Sequence, residues 1–329
     1  MATNFKRGLQ ARGVPLEGGS GARYTGWWGV TSRFVDYDHG ADGNSGIEPT
    51  SAYLNLQTAI NASVIGDVIY IRNRDQDITA TDPEAILPAS TTNWSVAETQ
   101  THLSIIGASN VSHIPTAETM TSVILKGHAT ANTTAVMDWR GAFGLLENLG
   151  FHRGASTAGG LVALTGNSTS LRALGTTIAN CLFRLSNHAV GSLYNLDNWW
   201  VTVYGCVFHD CRVGIEFHGS ASTVRRNSII GCTFRNQTAT SVDTNILLNG
   251  SSTQDVYIAD CDFTTTDPNY SGGSNVYIRA TNTATGLIVR CSFPTDTAEG
   301  TSGITNNGID MLDCHQLDAT ANSEAFGKT

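Results

Sequence analysis

The heptad Ile178-Ala-Asn-Cys-Leu-Phe-Arg184 returns four times along the chain, as VYGCVFH (Val203–His209), IIGCTFR (Ile229–Arg235), IADCDFT (Ile258–Thr264) and IVRCSFP (Ile288–Pro294). Its cysteines, Cys181, Cys206, Cys232, Cys261 and Cys291, are spaced by 25, 26, 29 and 30 residues, and Cys314 follows after 23. An earlier unit, LENLGFH (Leu146–His152), carries Leu149 in the cysteine position, 32 residues upstream of Cys181. A period of this size restricts the fold to a solenoid or a propeller, because each unit buries its apolar face only against the next. A propeller blade takes about 40 residues or more. The shorter period selects a solenoid whose coils differ in loop length.

The columns of the repeat say which solenoid. Two positions after the cysteine stand Phe151, Phe183, Phe208, Phe234, Phe263 and Phe293. Cysteine and phenylalanine share a parity, so both point inward along one strand. Three positions before the cysteine stand Leu146, Ile178, Val203, Ile229, Ile258, Ile288 and Met311, which have the opposite parity. A bend must lie between them. The residue just before the cysteine is Asn148, Asn180, Gly205, Gly231, Asp260, Arg290 or Asp313, and all but the arginine are types that tolerate a left-handed backbone. Strand, one-residue corner, strand describes a coil of a parallel β-helix. A further strand recurs between corners, in Val213–Gly219, Thr244–Gly250 and Ser274–Ala280, giving about three short strands per coil. The cysteine column reads as a ladder of small apolar fillers rather than as redox or metal sites. Cys211 alone lies off it.

Composition agrees with such a protein. Charged residues are 14% of the chain, against roughly 25% in an ordinary soluble protein, and 40% hydrophobic residues supply a core. A net charge of −9 argues against a nucleic-acid partner, which calls for a basic face. No stretch is long and apolar enough for a membrane span. The opening MATNFKRGLQARG lacks the apolar run of a secretory signal, so the expectation is a chain made in the cytoplasm without export. Seven cysteines, an odd number in a chain of this size, are expected to be reduced and buried.

The segment from Phe34 to Ile71, FVDYDHGADGNSG…PTSAYLNLQTAINASVIGDVIYI, resembles the opening of right-handed parallel β-helix, pectate-lyase-like proteins. There an Asp/Gly-rich loop precedes a capping helix and a strand of the form GD-x-I/V-Y-I/V. With the coils, the resemblance spans roughly residues 34–315. It implies an all-β fold: a single right-handed parallel β-helix with an N-terminal capping helix and an extended N-terminal arm. The layout is then an arm over 1–33, an opening loop and capping helix over 34–75, coils over 76–315 and a tail over 316–329. Thr50 or Ser51 is expected to cap the helix, with Tyr53, Leu56, Ile60 and Val64 at helical spacing and Gly66 ending it. Asp36, Asp38 and Asp42 do not match an EF-hand and read as turn residues. The family includes lyases, hydrolases, epimerases and non-catalytic phage spike or capsid-surface proteins, so the fold leaves function open.

Two sets of residues bear on function. Hydrolysis on this scaffold needs two carboxylates about 5–9 Å apart. The candidates are Asp210, Glu216 and Asp262, with Asp260 assigned to the corner column and His209, His218 or Arg212 as basic partners. No acid pair repeats in register, and no cofactor or metal site is read. The second set is a column three positions after the cysteine, holding His152, Arg184, His209 and Arg235. Stacked cations repel unless an anion lies alongside, which can be a neighbouring subunit's acids or an anionic glycan. Trp199 and Trp200 can stack on sugar or pack between subunits, and one of them must point outward. In the arm, Arg7, Arg12, Trp27 and Trp28 read either as a flexible tail or as an attachment segment that becomes ordered on a partner, like those of phage virion proteins.

The expectation is a structural virion protein of a bacteriophage: a capsid decoration, head spike or tail spike, anchored by its arm. Its partners would be its own copies in a homotrimer, other virion proteins and an anionic polysaccharide. The competing reading is a polysaccharide lyase or glycoside hydrolase.

Overall fold

The computed structural model describes residues 9–11, 14–16, 31–72 and, between 85 and 326, the strands with their tight corners. The attachment residues Arg7, Arg12, Trp27 and Trp28 lie outside the described residues. Among the latter, three sheets of 11, 10 and 8 strands run the length of the chain. Apart from Glu324–Phe326, which pairs antiparallel with Cys314–Leu317, every rung in them is parallel. The first sheet starts at Ser32–Val35 and Val68–Arg72 and ends at Ile309–Leu312. The second holds the strands that follow the cysteine column, and the third begins at Trp94–Val96 and ends at Ile304–Thr305. The fold is the expected right-handed parallel β-helix.

The corner between the first and second sheets has the backbone that its residue types require. Asn148, Asn180, Gly205, Gly231, Asp260, Arg290 and Asp313 all have φ between 49 and 60°. Arg290, the one residue disfavoured there, forks onto the Asp260 carboxylate of the preceding coil at 2.7 and 2.8 Å. Inside this corner each thiol faces two carbonyls. Cys206 Sγ lies 3.5 Å from the Tyr204 carbonyl of its own coil and 3.5 Å from that of Ile178 in the coil before. Cys181, Cys232, Cys261, Cys291 and Cys314 repeat the arrangement at 3.7–3.9 Å from the preceding coil. Cysteine therefore fills the corner and also gives it a weak S–H donor. Burial pushes the Cys206 and Cys232 thiols well above the ordinary range.

Cys211 repeats the device elsewhere. Asp210 takes φ 50° directly after the second-sheet strand Val207–His209. The chain turns inward at once, placing Cys211 Sγ 3.4 Å from the Phe183 carbonyl. The core beside the thiols is a pile of rings from Phe151 to Phe293, with successive centroids 5.4, 4.7, 5.0, 4.9 and 4.8 Å apart. Those distances follow the strand spacing of a sheet, about 4.8 Å.

The capping helix is shorter than the sequence suggests. It runs over Leu56–Ala62, with Asn55 before it and Ser63 after it. Thr50 and Ser51 belong to a separate 3-10 turn, Pro49–Ser51. Tyr53 cannot be helical because its N–H and carbonyl bond to Phe34 and Asp36 of the neighbouring strand. The Asp42 carboxylate takes the Asn55 N–H at 2.9 Å and so fixes where the helix begins. Val64 is 58% exposed rather than core. Gly66 is a corner of the first coil, with φ 84°. Asp67 beside it is wholly buried and accepts from Thr31 N–H, Val64 N–H and Arg33 Nε at 2.9–3.0 Å.

Candidate functional site

The basic column stands in register. His152, Arg184, His209 and Arg235 face one another across successive second-sheet strands, and Lys126 precedes them opposite His152. Five cationic or ionisable residues therefore line one row over five coils, and a fixed cation alternates with an imidazole. At the strand spacing the fixed cations lie roughly 9.6 Å apart. Their repulsion is then about 0.4 kcal/mol per pair in water and under 2 at the dielectric of a protein surface. The row therefore stands without a bound anion. His209 departs from the expectation of an open column. It is only 4% exposed, because the chain turns inward at Asp210 beside it, whose carboxylate lies 3.8 Å from His209 Nδ1.

The candidate acids do not converge. Asp210 is a corner residue. Asp262 hydrogen-bonds to Ser292 of the next coil. Asp260 is held by Arg290, whose guanidinium keeps its carboxyl below the usual range. Glu216 differs from these. It stands on the outer row of the third sheet, opposite Tyr194 and Leu247, yet is 3% exposed. Its Oε2 accepts the Gly191 N–H at 3.0 Å. Its Oε1 accepts Asn249 Nδ2 at 3.0 Å and lies 3.1 Å from His218 Nδ1. His218 Nδ1 thus faces both the Glu216 carboxylate and Asn249 Nδ2, the latter at 3.2 Å. The Tyr194 ring lies 5.7 Å from that of His218. Burial first, then the Glu216 and Asp197 charges, push its phenol up to about 12. The sequence singled out Glu216 and His218 but not Asn249, Tyr194 or their mutual contact.

A row of a different kind runs along the corner between the third and first sheets. Gly66, His102, Phe143, Gly175, Trp200, Arg226 and Asp255 each have φ between 54 and 84°. From Gly66 to Arg226, each N–H donates to a carbonyl of the next coil, from Gly66 to Thr101 and so on to Arg226 with Gln254. Trp200, 44% exposed, is the outward member of the tryptophan pair, while Trp199 lies under the Arg225 guanidinium at 5.5 Å.

At the N-terminal end, Phe34, Ile47, Pro49, Ala52 and Tyr70 line a groove of about 570 Å³. At its edge Arg72 pairs with Asp36 at 2.8 Å. Burial alone would raise the Asp36 carboxyl. Arg72 and the N–H groups of Asp38 and His39 outweigh burial and hold it below the usual range. These contacts give Asp36 and Asp42 the turn roles expected of them. Among the described residues no three His, Cys, Asp or Glu side chains gather as metal ligands, and no helix is long and apolar enough to cross a membrane.

No protein-family profile and no curated protein matches the chain. Solved structures do. ORF18 of Geobacillus virus E2 superposes with a TM-score of 0.50 at 14% identity, over 86% of this chain and 60% of the viral one. Pectate lyase Pel9A superposes with a TM-score of 0.51 at 10% identity, over 87% of this chain and 69% of the lyase. This chain therefore spans 60% of the viral protein's length. At these identities the likeness is one of fold: the β-helix is a scaffold shared by a phage protein and a carbohydrate-active enzyme.

Proposed function

We propose that this protein is a polysaccharide-directed β-helix of a bacteriophage particle, holding an acidic glycan along the row of Lys126, His152, Arg184 and Arg235, with His209 buried between the two arginines. The register of that row carries the reading. An extended polyanion lying along the helix axis meets a fixed cation every second coil. A particle-surface role, in which the chain binds without cleaving, is supported by the scattered acids: Asp210, Asp260 and Asp262 each have a local structural partner or turn role. The likeness to a viral protein is in keeping with it, and a homotrimer anchored by the arm is the assembly we propose.

The test is electrophoresis of the full chain through gels containing polygalacturonate, hyaluronate or polysialate. Retardation that fades with salt and is lost in Arg184→Gln/Arg235→Gln is expected. Free migration of the wild type in all three gels at low salt refutes the reading.

Glu216, His218 and Tyr194 favour a second reading, a polysaccharide-cleaving enzyme. A buried carboxylate that orients an imidazole beside a phenol is an arrangement suited to proton transfer. New reducing ends or unsaturated ends released from those polymers, and abolished by His218→Gln, would establish it.

A further inference from the structure

The left-handed row at the third corner carries side chains that its backbone disfavours. At the corner between the first and second sheets the same conformation is filled by Asn, Asp and Gly, with Arg290 as the exception. At the third, Gly66 and Gly175 show that glycine serves equally well there, yet His102, Phe143 and Trp200 occupy positions between and beside them. Histidine is tolerated at positive φ, but Phe143 and Trp200 are outliers there, and outliers kept without structural need point to function. No core explains these three. His102 is exposed, as are Phe143 at 48% and Trp200 at 44%.

The rings form one strip. His102 stacks on Phe143 with centroids 5.2 Å apart. The Phe143 ring lies over Gly175, where a Cβ would come within 2.5 Å of it. Glycine on that coil thus leaves room for the Phe143 ring, and Trp200 stands on the coil after it. Beyond Trp200 the strip ends at Arg226 and Asp255, whose charges face each other at 4.0 Å.

We infer that this strip is a second binding surface, stacking on the apolar C–H faces of sugar rings in a neutral polysaccharide laid along the helix axis. His102 and Phe143 stand one coil apart and Trp200 two coils beyond Phe143, so at about 4.8 Å per coil the three rings span the length of a few pyranoses. The opposed Arg226 and Asp255 leave no net charge to attract an acidic one. A second protein copy is a poorer fit, because two half-exposed rings offer roughly 100 Å² each, whereas a stable interface takes about 800 Å² per partner. The strip lies at the corner opposite the second sheet, so it does not depend on the basic column.

The experiment compares the full chain with Phe143→Gly/Trp200→Gly in gels containing β-glucan, galactomannan, arabinoxylan or dextran. The wild type should be retarded by at least one polymer, and the double variant should lose at least tenfold in affinity. Its melting temperature should be unchanged or higher, since glycine relieves the backbone. Phe143→Asn/Trp200→Asn serves if the glycine variant fails to fold. Any retardation on polygalacturonate must survive in the variant, which separates this surface from the basic column. The inference is overturned if no neutral polymer retards the wild type or if the variant binds as well as the wild type. It is also overturned if light scattering shows that the variant dissociates an oligomer that the wild type forms.

Discussion

Replacing Phe234 by alanine tests how the coils are coupled. The Phe234 ring is fully buried, with Phe208 at 5.0 Å on one side and Phe263 at 4.9 Å on the other. It packs against Gly214, where even a methyl group would approach its edge to 3.1 Å. Truncating a buried phenylalanine costs about 3–5 kcal/mol. Two stacked pairs, each worth roughly 0.5–1.5 kcal/mol, put this site toward the upper end. In a solenoid the loss falls on one coil and its two interfaces, because stability is nearly a sum of neighbour terms. The variant should therefore uncouple the stack into two parts. The sequence provides a reporter, since all six tryptophans precede residue 201. In guanidinium, circular dichroism should show an early transition from the C-terminal coils that tryptophan fluorescence does not see. The wild-type curves should coincide or lie closer together. Coincident curves in the variant, with a loss below about 1 kcal/mol, would refute the coupling argument and the role of the ring pile.

Three further outcomes follow from the corners and the buried carboxylate. Gly231→Ala meets nothing within 4 Å, so its cost in denaturant melts should be the backbone term alone, about 1–2 kcal/mol. Gly205→Ala should cost more, because its new methyl group would sit 2.7 Å from Asn180 Oδ1. The folded protein should release almost no thiolate to an aromatic disulfide reagent at pH 8, and all seven cysteines should react once it is unfolded. Fast labelling of the native state would contradict the burial of the ladder. Glu216→Ala strands the buried Gly191 N–H and should cost about 1–3 kcal/mol, measured by equilibrium unfolding; Glu216→Gln, which keeps an acceptor, should lose less.

What could be read from the sequence was whatever recurs at a fixed distance from the cysteine. The first corner, the phenylalanine pile and the basic row all do, and the structure places each of them in register. Arg290 could be assigned to a left-handed corner on position alone, against its own preference. The third corner recurs too, six residues before the cysteine position at Phe143, Gly175, Trp200, Arg226 and Asp255, but its side chains differ from coil to coil. Its residues, His102, Phe143 and Trp200, are also types that give no turn signal. Lys126 escaped notice because its coil has no cysteine or phenylalanine, although Val123-Ile-Leu-Lys126 puts apolar residues in those two places and a cation at the position where the later units carry Arg or His. The helix was overextended because Tyr53 falls in helical phase with Leu56 and Ile60, while its backbone is claimed by a strand. The contact of Glu216 with His218 and Asn249 joins two coils, and no local pattern reports it.

The unequal connections between the second and third sheets carry an evolutionary consequence. A one-residue insertion in a corner such as Asn180 would turn the following strand over and expose its phenylalanine. The connections after Arg184, Arg235 and Thr264 face no such restriction, as the contrast between the tight turn at Asp210–Arg212 and the long link from Thr265 to Val276 shows. Length variation is thus channelled into segments that begin beside the cationic row. Descendants of this chain can change the surroundings of that row by lengthening or trimming those links, while the thiol and phenyl ladders beneath stay as they are.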